Sequence, residues 1–84
     1  MDEVFVVTGG GSGIGCAVAE ALPKEATVII TGRTLAKLQH TADALNAQGH
    51  HAIPLTCDVS NRTEVHSLAQ RSAELGQVTK VIHA

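Results

Sequence analysis

A glycine-rich segment, Thr8-Gly9-Gly10-Gly11-Ser12-Gly13-Ile14-Gly15, carries the residues of this chain that are best suited to bind an anion. It follows an apolar run at residues 4–7 and precedes an alanine-rich helical pattern that begins at Cys16. The first amides of a helix have no partners within it, and the helix dipole adds roughly half a positive charge there. Glycines allow the backbone to turn tightly and to approach phosphate oxygens closely. The segment therefore predicts a diphosphate site.

The glycine spacing is Gly9-x-x-x-Gly13-x-Gly15, which differs from the G-x-G-x-x-G of many dinucleotide folds. No Lys-Ser or Lys-Thr pair follows the glycines, and this excludes a P-loop. The alternative is a tight turn with a structural role only. A strand before the glycines and a helix after them favour phosphate binding over that alternative.

The end of the second apolar run, at residues 27–31, selects between cofactors. Dinucleotide folds that prefer NAD place an acid about 20 residues past the glycines, where it holds the ribose 2′-hydroxyl. Gly32 and Arg33 occupy that region here. A guanidinium can hold a 2′-phosphate and stack beside the adenine, so this position predicts NADP rather than NAD. The alternative is that Arg33 is a solvated residue at the start of a helix.

Two further positions stand at the ends of predicted strands. Asp58 ends the third strand, where its carboxylate can accept a hydrogen bond from an adenine amino group while the Val59 amide faces a ring nitrogen. The alternative for Asp58 is a residue at a helix N-terminus that interacts favourably with the helix dipole. His83 ends the fourth strand, at the edge where ligands bind in open α/β sheets. No two of the five histidines stand four residues apart on one helix, so the sequence predicts no metal site.

Strand and helix patterns alternate along the whole chain. Strands are predicted at residues 4–7, 27–31 and 52–57, with a fourth that begins at Val78 or Lys80. Helices are predicted at residues 13–22, from Leu35 to a capping Gly49, and after Asn61 as far as Gly76. This order predicts an α/β fold with right-handed parallel crossovers. Because proline cannot donate to a ladder, Pro54 predicts an edge position for the third strand.

Helical spacing identifies the faces that should pack on the sheet. Asn61 with Glu64 three residues later matches a capping box, with Ser60 as a competing cap. The buried face of the second helix is predicted to comprise Leu35, Leu38, Ala42 and Leu45. The buried face of the third is predicted to comprise Val65, Leu68, Ala69, Ser72 and Leu75.

Composition limits the remaining possibilities. The 84 residues carry a net charge of −2 and no basic stripe, so they predict no nucleic-acid partner. No apolar stretch approaches the ~18–20 residues that span a bilayer, and the acidic Met1-Asp2-Glu3 start is unlike a signal peptide. Cys16 and Cys57 fit no zinc or redox spacing. These features predict a cytoplasmic protein with reduced thiols and no membrane contact.

Four features, the glycine segment, Gly32-Arg33, Asp58-Val59 and Val81-Ile82-His83-Ala84, share one register. Together they resemble the N-terminal half of the short-chain dehydrogenase/reductase family along all 84 residues. The resemblance implies a Rossmann-type doubly wound parallel sheet in the order 3-2-1-4, truncated after strand 4. It also implies a diphosphate cradle made by Gly9, Ser12, Gly13, Ile14 and Gly15.

The same resemblance assigns the rest of the cofactor site. Arg33 would hold the adenosine 2′-phosphate, and Asp58 with Val59 would bind the adenine. His83 stands where the family usually begins an Asn-Asn-Ala-Gly stretch at the end of strand four. Ser12 stands where NADP-binding members often carry a basic residue, so cofactor choice depends on Arg33.

Catalysis in this family uses a Tyr, a Lys and a Ser, and the chain contains no Tyr. The resemblance therefore implies that residues 1–84 are the cofactor-binding part of a longer single-domain protein, inactive alone and without catalytic residues. The parent would be a homo-oligomer that transfers a hydride between NADP(H) and an alcohol or carbonyl substrate. One alternative is a non-catalytic dinucleotide-sensing module. Another, a methyltransferase using S-adenosylmethionine, usually requires an acid where Gly32-Arg33 stands.

Overall fold

Four parallel strands and three helices alternate in a computed structural model that describes residues 3–9, 13–58 and 60–83. The predicted order of elements is confirmed. The elements in chain order are β1 (Glu3–Thr8), α1 (Gly13–Glu20), β2 (Thr27–Gly32), α2 (Leu35–Ala47), β3 (His51–Thr56), α3 (Arg62–Leu75) and β4 (Gln77–His83).

The strands form one sheet in the order β3-β2-β1-β4, as the family resemblance implies. Strand β1 lies between β2 and β4, so that Thr8 is level with Thr31 on one side and with His83 on the other. Strand β3 is at an edge, in agreement with the prediction from Pro54. All pairs are parallel, so the carboxyl ends of the strands meet at one edge of the sheet.

Helices cover both faces of the sheet because side chains alternate along each strand. On one face, Val7, Val28 and Ile30 pack with buried residues of α1 and α2. On the opposite face, Val4, Val6 and Ile29 pack with the partly buried Leu68 of α3. Uniformly apolar strands covered on both faces are typical of a doubly wound α/β fold.

Helix α2 packs through Leu38, Ala42 and Leu45, as predicted, but Leu35 is 54% exposed. The prediction for Leu35 is wrong because this residue follows the end of β2 by three positions and begins the helix beyond the covered part of the sheet. Thr41 is buried instead, and its hydroxyl donates a hydrogen bond to the Lys37 carbonyl at 3.1 Å.

The predicted buried face of α3 is confirmed only in part. Ser72 is buried and Leu68 is partly buried against the sheet, whereas Val65 and Ala69 are exposed. The helix stands away from β1 and β4 and leaves an open apolar cleft of about 510 Å³, which Val65 lines. A helical repeat of apolar residues identifies the inner face but not how closely that face approaches the sheet. The side chain of Leu75 lies outside the described residues.

Helix α2 ends in the glycine cap predicted at Gly49. Its φ is 96°, in the left-handed region where glycine is favoured. The Gly49 N–H donates to the Asn46 carbonyl, and the His50 N–H donates to the Leu45 carbonyl, each at 3.1 Å. This pair of bonds is the Schellman arrangement, which closes the helix and turns the chain into β3.

Replacing Gly49 with alanine is expected to lower the free energy of unfolding by about 1 kcal/mol, because alanine is strained at positive φ. The new Cβ would meet only Lys24 Cδ, at 3.8 Å, so the cost lies in the backbone rather than in a clash. Denaturant unfolding measures the change. Gln48→Ala, at the neighbouring cap residue with φ −91°, is the control and should change stability little. Equal stability of the Gly49→Ala variant and the parent would contradict the role of the cap.

Candidate functional site

The carboxyl ends of the four described strands bring the predicted site residues to one edge of the sheet. Gly9 follows β1, Arg33 follows β2, and Asp58 lies two residues past β3, while His83 ends β4. Because neighbouring strands lie ~4.8 Å apart, the outer two are separated by roughly 14 Å along this edge. The strand order places Asp58, Arg33, Gly9 and His83 in that sequence along the edge.

The turn between β1 and α1 begins at Gly9, which has a φ of 71°. Side chains rarely adopt this conformation, so the turn needs a glycine here. Helix α1 starts at Gly13 and has no acidic side chain in its first turn that would repel an anion. The side chain of Ile14 is 72% exposed at the same helix end, whereas Gly15 is buried.

Gly13 borders open space. Apart from its chain neighbours and the backbone of its own helix, no heavy atom of the described residues lies within 4 Å of a Cβ built on Gly13. The glycine is therefore not required for packing within the described structure. Its open surroundings leave room for an external group to approach the start of the helix.

Arg33 and Asp58 lie side by side because β2 and β3 remain hydrogen-bonded past the last strand residue. The Cys57 N–H donates to the Gly32 carbonyl at 2.8 Å. The next residues in these two segments are Arg33 and Asp58, and Arg33 Nη2 is 3.6 Å from Asp58 Oδ1. The two side chains are 75% and 39% exposed, so the ion pair is solvated and both groups are accessible to a ligand.

Ser60 fixes the Asp58 carboxylate. The Ser60 hydroxyl donates to Asp58 Oδ1 at 2.7 Å, and its backbone N–H donates to the same oxygen at 3.0 Å. These two hydrogen bonds, followed by the Arg33 guanidinium, hold the pKa of Asp58 below its usual value. Asp58 therefore carries its negative charge at neutral pH.

The segment after β3 is also held by the start of α3. Asn61 caps this helix as predicted, and its Oδ1 accepts hydrogen bonds from the N–H groups of Thr63 and Glu64. Glu64 does not complete a capping box, because its Oε1 accepts a hydrogen bond from the Asp58 N–H at 3.3 Å instead. The Asn61 N–H donates to the Asp58 carbonyl at 2.9 Å. Three hydrogen-bonded partners thus order Asp58, namely Ser60, Asn61 and Glu64.

Sequence reasoning missed Ser60 and Glu64 as neighbours of the site. The signal for Ser60 is the Asp-x-Ser spacing, which is typical of a turn closed by an Asp side chain onto a backbone N–H two residues later. Glu64 had a stronger competing interpretation as half of a capping box. A capping box would pair Glu64 with the Asn61 N–H, whereas its partner is the N–H of Asp58, three residues earlier.

The buried Cys57 carries a thiol beneath this edge. Burial raises its pKa, and the nearby carboxylates of Glu64 and Asp58 act in the same direction. The neutral thiol is a poor nucleophile. Both Cys57 and Cys16 are free.

Two of the predicted site residues, Ser12 and Val59, lie outside the described residues. The backbone of His83 pairs level with Thr8, and the Thr8 hydroxyl donates to the Ile82 carbonyl at 3.3 Å. The β4 end is therefore adjacent to the glycine turn.

Within residues 3–9, 13–58 and 60–83, no group of three or more potential His, Cys, Asp or Glu ligands is arranged to hold a metal ion. Over the same part of the chain, none of the helices has the length and apolar character needed to cross a bilayer.

Comparison with known families identifies the fold. The sequence profile of the short chain dehydrogenase family matches residues 3–84. This chain belongs to the short-chain dehydrogenase family. A dehydrogenase/reductase, SDR family member 1, from Mus musculus is 44% identical over 70 residues, covering 82% of this chain and 22% of that protein. An uncharacterized oxidoreductase of Staphylococcus aureus strain USA300 is 46% identical over 68 residues, covering 80% of this chain and 29% of that protein.

Solved structures agree with the family assignment. An actinorhodin polyketide ketoreductase variant with NADPH superposes with a TM-score of 0.91 at 34% identity, covering 99% of this chain and 33% of that one. A metagenomic short-chain oxidoreductase in complex with NADP gives a TM-score of 0.86 at 32% identity, covering 94% and 37%. The chain thus spans between about a fifth and two fifths of the length of these family members.

Proposed function

We propose that this chain binds NADP at the carboxyl edge of its sheet. It would serve as the cofactor-binding part of an oxidoreductase that transfers a hydride between NADP(H) and an alcohol or carbonyl compound. The observation that carries the proposal is the exposed Arg33 at the end of β2, the strand that lies directly beside β1 and its glycine turn. A bound dinucleotide supplies the hydride, and the residues of this chain hold and orient it.

The diphosphate would bind at the start of α1. Gly9 makes the turn, Gly13 leaves room for the phosphates, and amides of Ile14 and Gly15 belong to the first turn of the helix. A phosphate there gains from hydrogen bonds to the backbone and from the helix dipole. Ser12, which precedes this turn, would contribute its hydroxyl or amide to the same cradle.

Arg33 would bind the 2′-phosphate of the adenosine. Its guanidinium is exposed at the end of β2, the strand next to the glycine turn. The sequence places glycine rather than an acid before it, so no carboxylate on β2 would repel the phosphate. A planar fork of charged donors is well matched to a phosphate.

Adenine would bind beyond Arg33, at the end of β3. The ionised Asp58 is an acceptor for the amino group of the base, and the Val59 amide would donate to a ring nitrogen. Ile14, largely exposed, offers an apolar surface to the cofactor. At the other end of the site, His83 would lie on the nicotinamide side of the glycine turn.

The structural relatives support NADP as the cofactor, since the two described above contain NADPH and NADP. A short chain oxidoreductase from Pseudomonas aeruginosa PAO1, with NADPH bound, also has this fold at a TM-score of 0.83 and 33% identity. We assign no catalytic residue within these 84 residues, which contain no Tyr to serve as the proton donor. Proton transfer and substrate binding would come from residues outside them.

Titration of the complete protein with NADPH and NADH tests the proposal. NADPH should bind at least about tenfold more tightly than NADH, because a hydrogen-bonded charge pair at the 2′-phosphate contributes about 1.5–3 kcal/mol. Nicotinamide fluorescence or calorimetry measures both affinities. Failure of both dinucleotides to bind would overturn the proposal, and equal affinities would remove Arg33 from the site. Tight NADPH binding without hydride transfer to any carbonyl compound would instead favour the sensing module.

A further inference from the structure

The Arg33–Asp58 pair is long and solvated. The ion pair joins the guanidinium nitrogen Nη2 to the carboxylate oxygen Oδ1 at 3.6 Å. This separation is longer than the 2.7–2.9 Å typical of a charge-assisted hydrogen bond. The interaction is therefore mainly an attraction between two solvated charges, and Arg33 can leave it at small cost.

The carboxylate in this pair is held by hydrogen bonds within its own loop. Oδ1 accepts two hydrogen bonds from Ser60, at 2.7 Å and 3.0 Å, and the Asp58 N–H is held by Glu64. Arg33, in contrast, is 75% exposed on a flexible side chain. Asp58 is thus a fixed negative charge toward which Arg33 is drawn.

We propose that Asp58 competes with the 2′-phosphate of the cofactor for Arg33, and that Ser60 is the positioning residue that sets the strength of this competition. Because the proposed function assigns Arg33 to the 2′-phosphate, this role of Asp58 depends on it. The protein would accordingly discriminate between NADP and NAD less strongly than Arg33 alone would allow. Specificity would be set by the pair rather than by the arginine.

The competition is expected to be modest. Exposed ion pairs typically contribute little, so removing the Asp58 charge should raise the preference for a 2′-phosphate by about two- to fivefold. Salt screens such pairs, so the gain should shrink as the ionic strength rises from about 0.01 M to about 0.15 M.

Two small probes separate this effect from the contact that Asp58 makes with adenine. Adenosine 2′,5′-bisphosphate and adenosine 5′-monophosphate share the base and differ only in the 2′-phosphate. We therefore use one ratio, the dissociation constant of the monophosphate divided by that of the bisphosphate. This ratio rises with the preference for a 2′-phosphate, and any loss of affinity at the adenine cancels in it. Asp58→Asn removes the charge while its amide oxygen still accepts from Ser60. Calorimetry on the complete protein gives the ratio for each variant.

The same ratio is measured in an Arg33→Ala background. If Asp58 acts through Arg33, Asp58→Asn raises the ratio in the parent by about two- to fivefold and leaves it unchanged without the arginine. A rise of equal size in both backgrounds would show direct repulsion between the carboxylate and the phosphate, and would overturn the competition. An unchanged or lower ratio in the parent background would also overturn it.

Ser60 has its own matched pair of variants. Ser60→Ala removes the shorter hydrogen bond to Oδ1 and should raise the ratio in the same direction, by less than Asp58→Asn. Ser60→Thr keeps a hydroxyl and should restore the parent ratio. Equal ratios in Ser60→Ala and the parent would remove Ser60 from the mechanism. If the parent itself does not favour the 2′-phosphate, the proposed role of Arg33 fails, and the competition fails with it.

Discussion

Replacing Gly13 with valine is expected to weaken NADPH binding by about 100-fold, which corresponds to the loss of one or two hydrogen bonds to a charged group. The side chain would occupy the open space at the start of α1 that the diphosphate is proposed to enter. Close approach of the backbone to the phosphates would then be blocked. Titration of the purified variant with NADPH measures the loss.

The same substitution should leave the fold intact, which distinguishes a binding defect from an unfolded protein. Outside its own helix and its chain neighbours, no described residue has a heavy atom within 4 Å of a Cβ at Gly13, and helix propensities disfavour valine no more than glycine. Gly49→Ala is the reciprocal control, because it should destabilise the fold at the end of α2 while leaving NADPH affinity unchanged. NADPH affinity equal to that of the parent in Gly13→Val would mean that the diphosphate binds elsewhere.

Replacing Arg33 with aspartate is expected to produce the second large effect, a reversal of cofactor preference. NADPH affinity should fall by about 100-fold, because a charged donor pair is lost and a carboxylate is placed beside a phosphate. NADH affinity should change little or rise, since an acid in this region can accept a hydrogen bond from the 2′-hydroxyl. Parallel titrations with the two dinucleotides measure the ratio.

Arg71→Asp is the matched control for this change in charge. Arg71 is exposed on α3, the helix that begins just after Asp58. It lies about 13 Å along the helix axis from the first residue of α3, which is the end of the helix nearest the site. Screening weakens the effect of a solvated charge at such a distance. The control should therefore keep the parent preference for NADPH. An equal loss of preference in both variants would indicate a general electrostatic effect and would argue against a specific contact by Arg33.

Much of this fold was predictable because its elements carry strong local signals. The uniformly apolar runs around Val6 and Ile29 indicate strands buried on both faces, and Gly49 marks the end of α2 through a backbone conformation that glycine favours. Pro54 indicated the edge strand because proline has no N–H to donate to a neighbouring strand. Such signals do not depend on distant parts of the chain.

The errors arose where tertiary distance decides the outcome. Leu35 and Val65 each fit a helical apolar face, yet one begins its helix beyond the sheet and the other lines a cleft. Periodicity gives the direction of a side chain but not the separation between the helix and the sheet. The partner of Glu64 was mispredicted for a similar reason, because a flexible side chain can reach either of two nearby amides.

For the site, the positions of the residues along the sheet edge were predictable, but their contacts were not. Parallel strands necessarily bring their carboxyl ends together, so Gly9, Arg33 and Asp58 were expected at one edge from the order of elements alone. Their mutual contacts were not, since the Arg33–Asp58 distance depends on the extra backbone hydrogen bond from Cys57 to Gly32. The role of Ser60 became visible only with the side-chain geometry.

The most direct test of the account is a crystal structure of the complete protein with NADPH bound. Diphosphate oxygens are expected within about 3 Å of backbone nitrogens in the first turn of α1, at Ile14 or Gly15. A cofactor whose diphosphate lies away from this turn, with the start of α1 in contact with solvent or with its own side chains, would contradict the account.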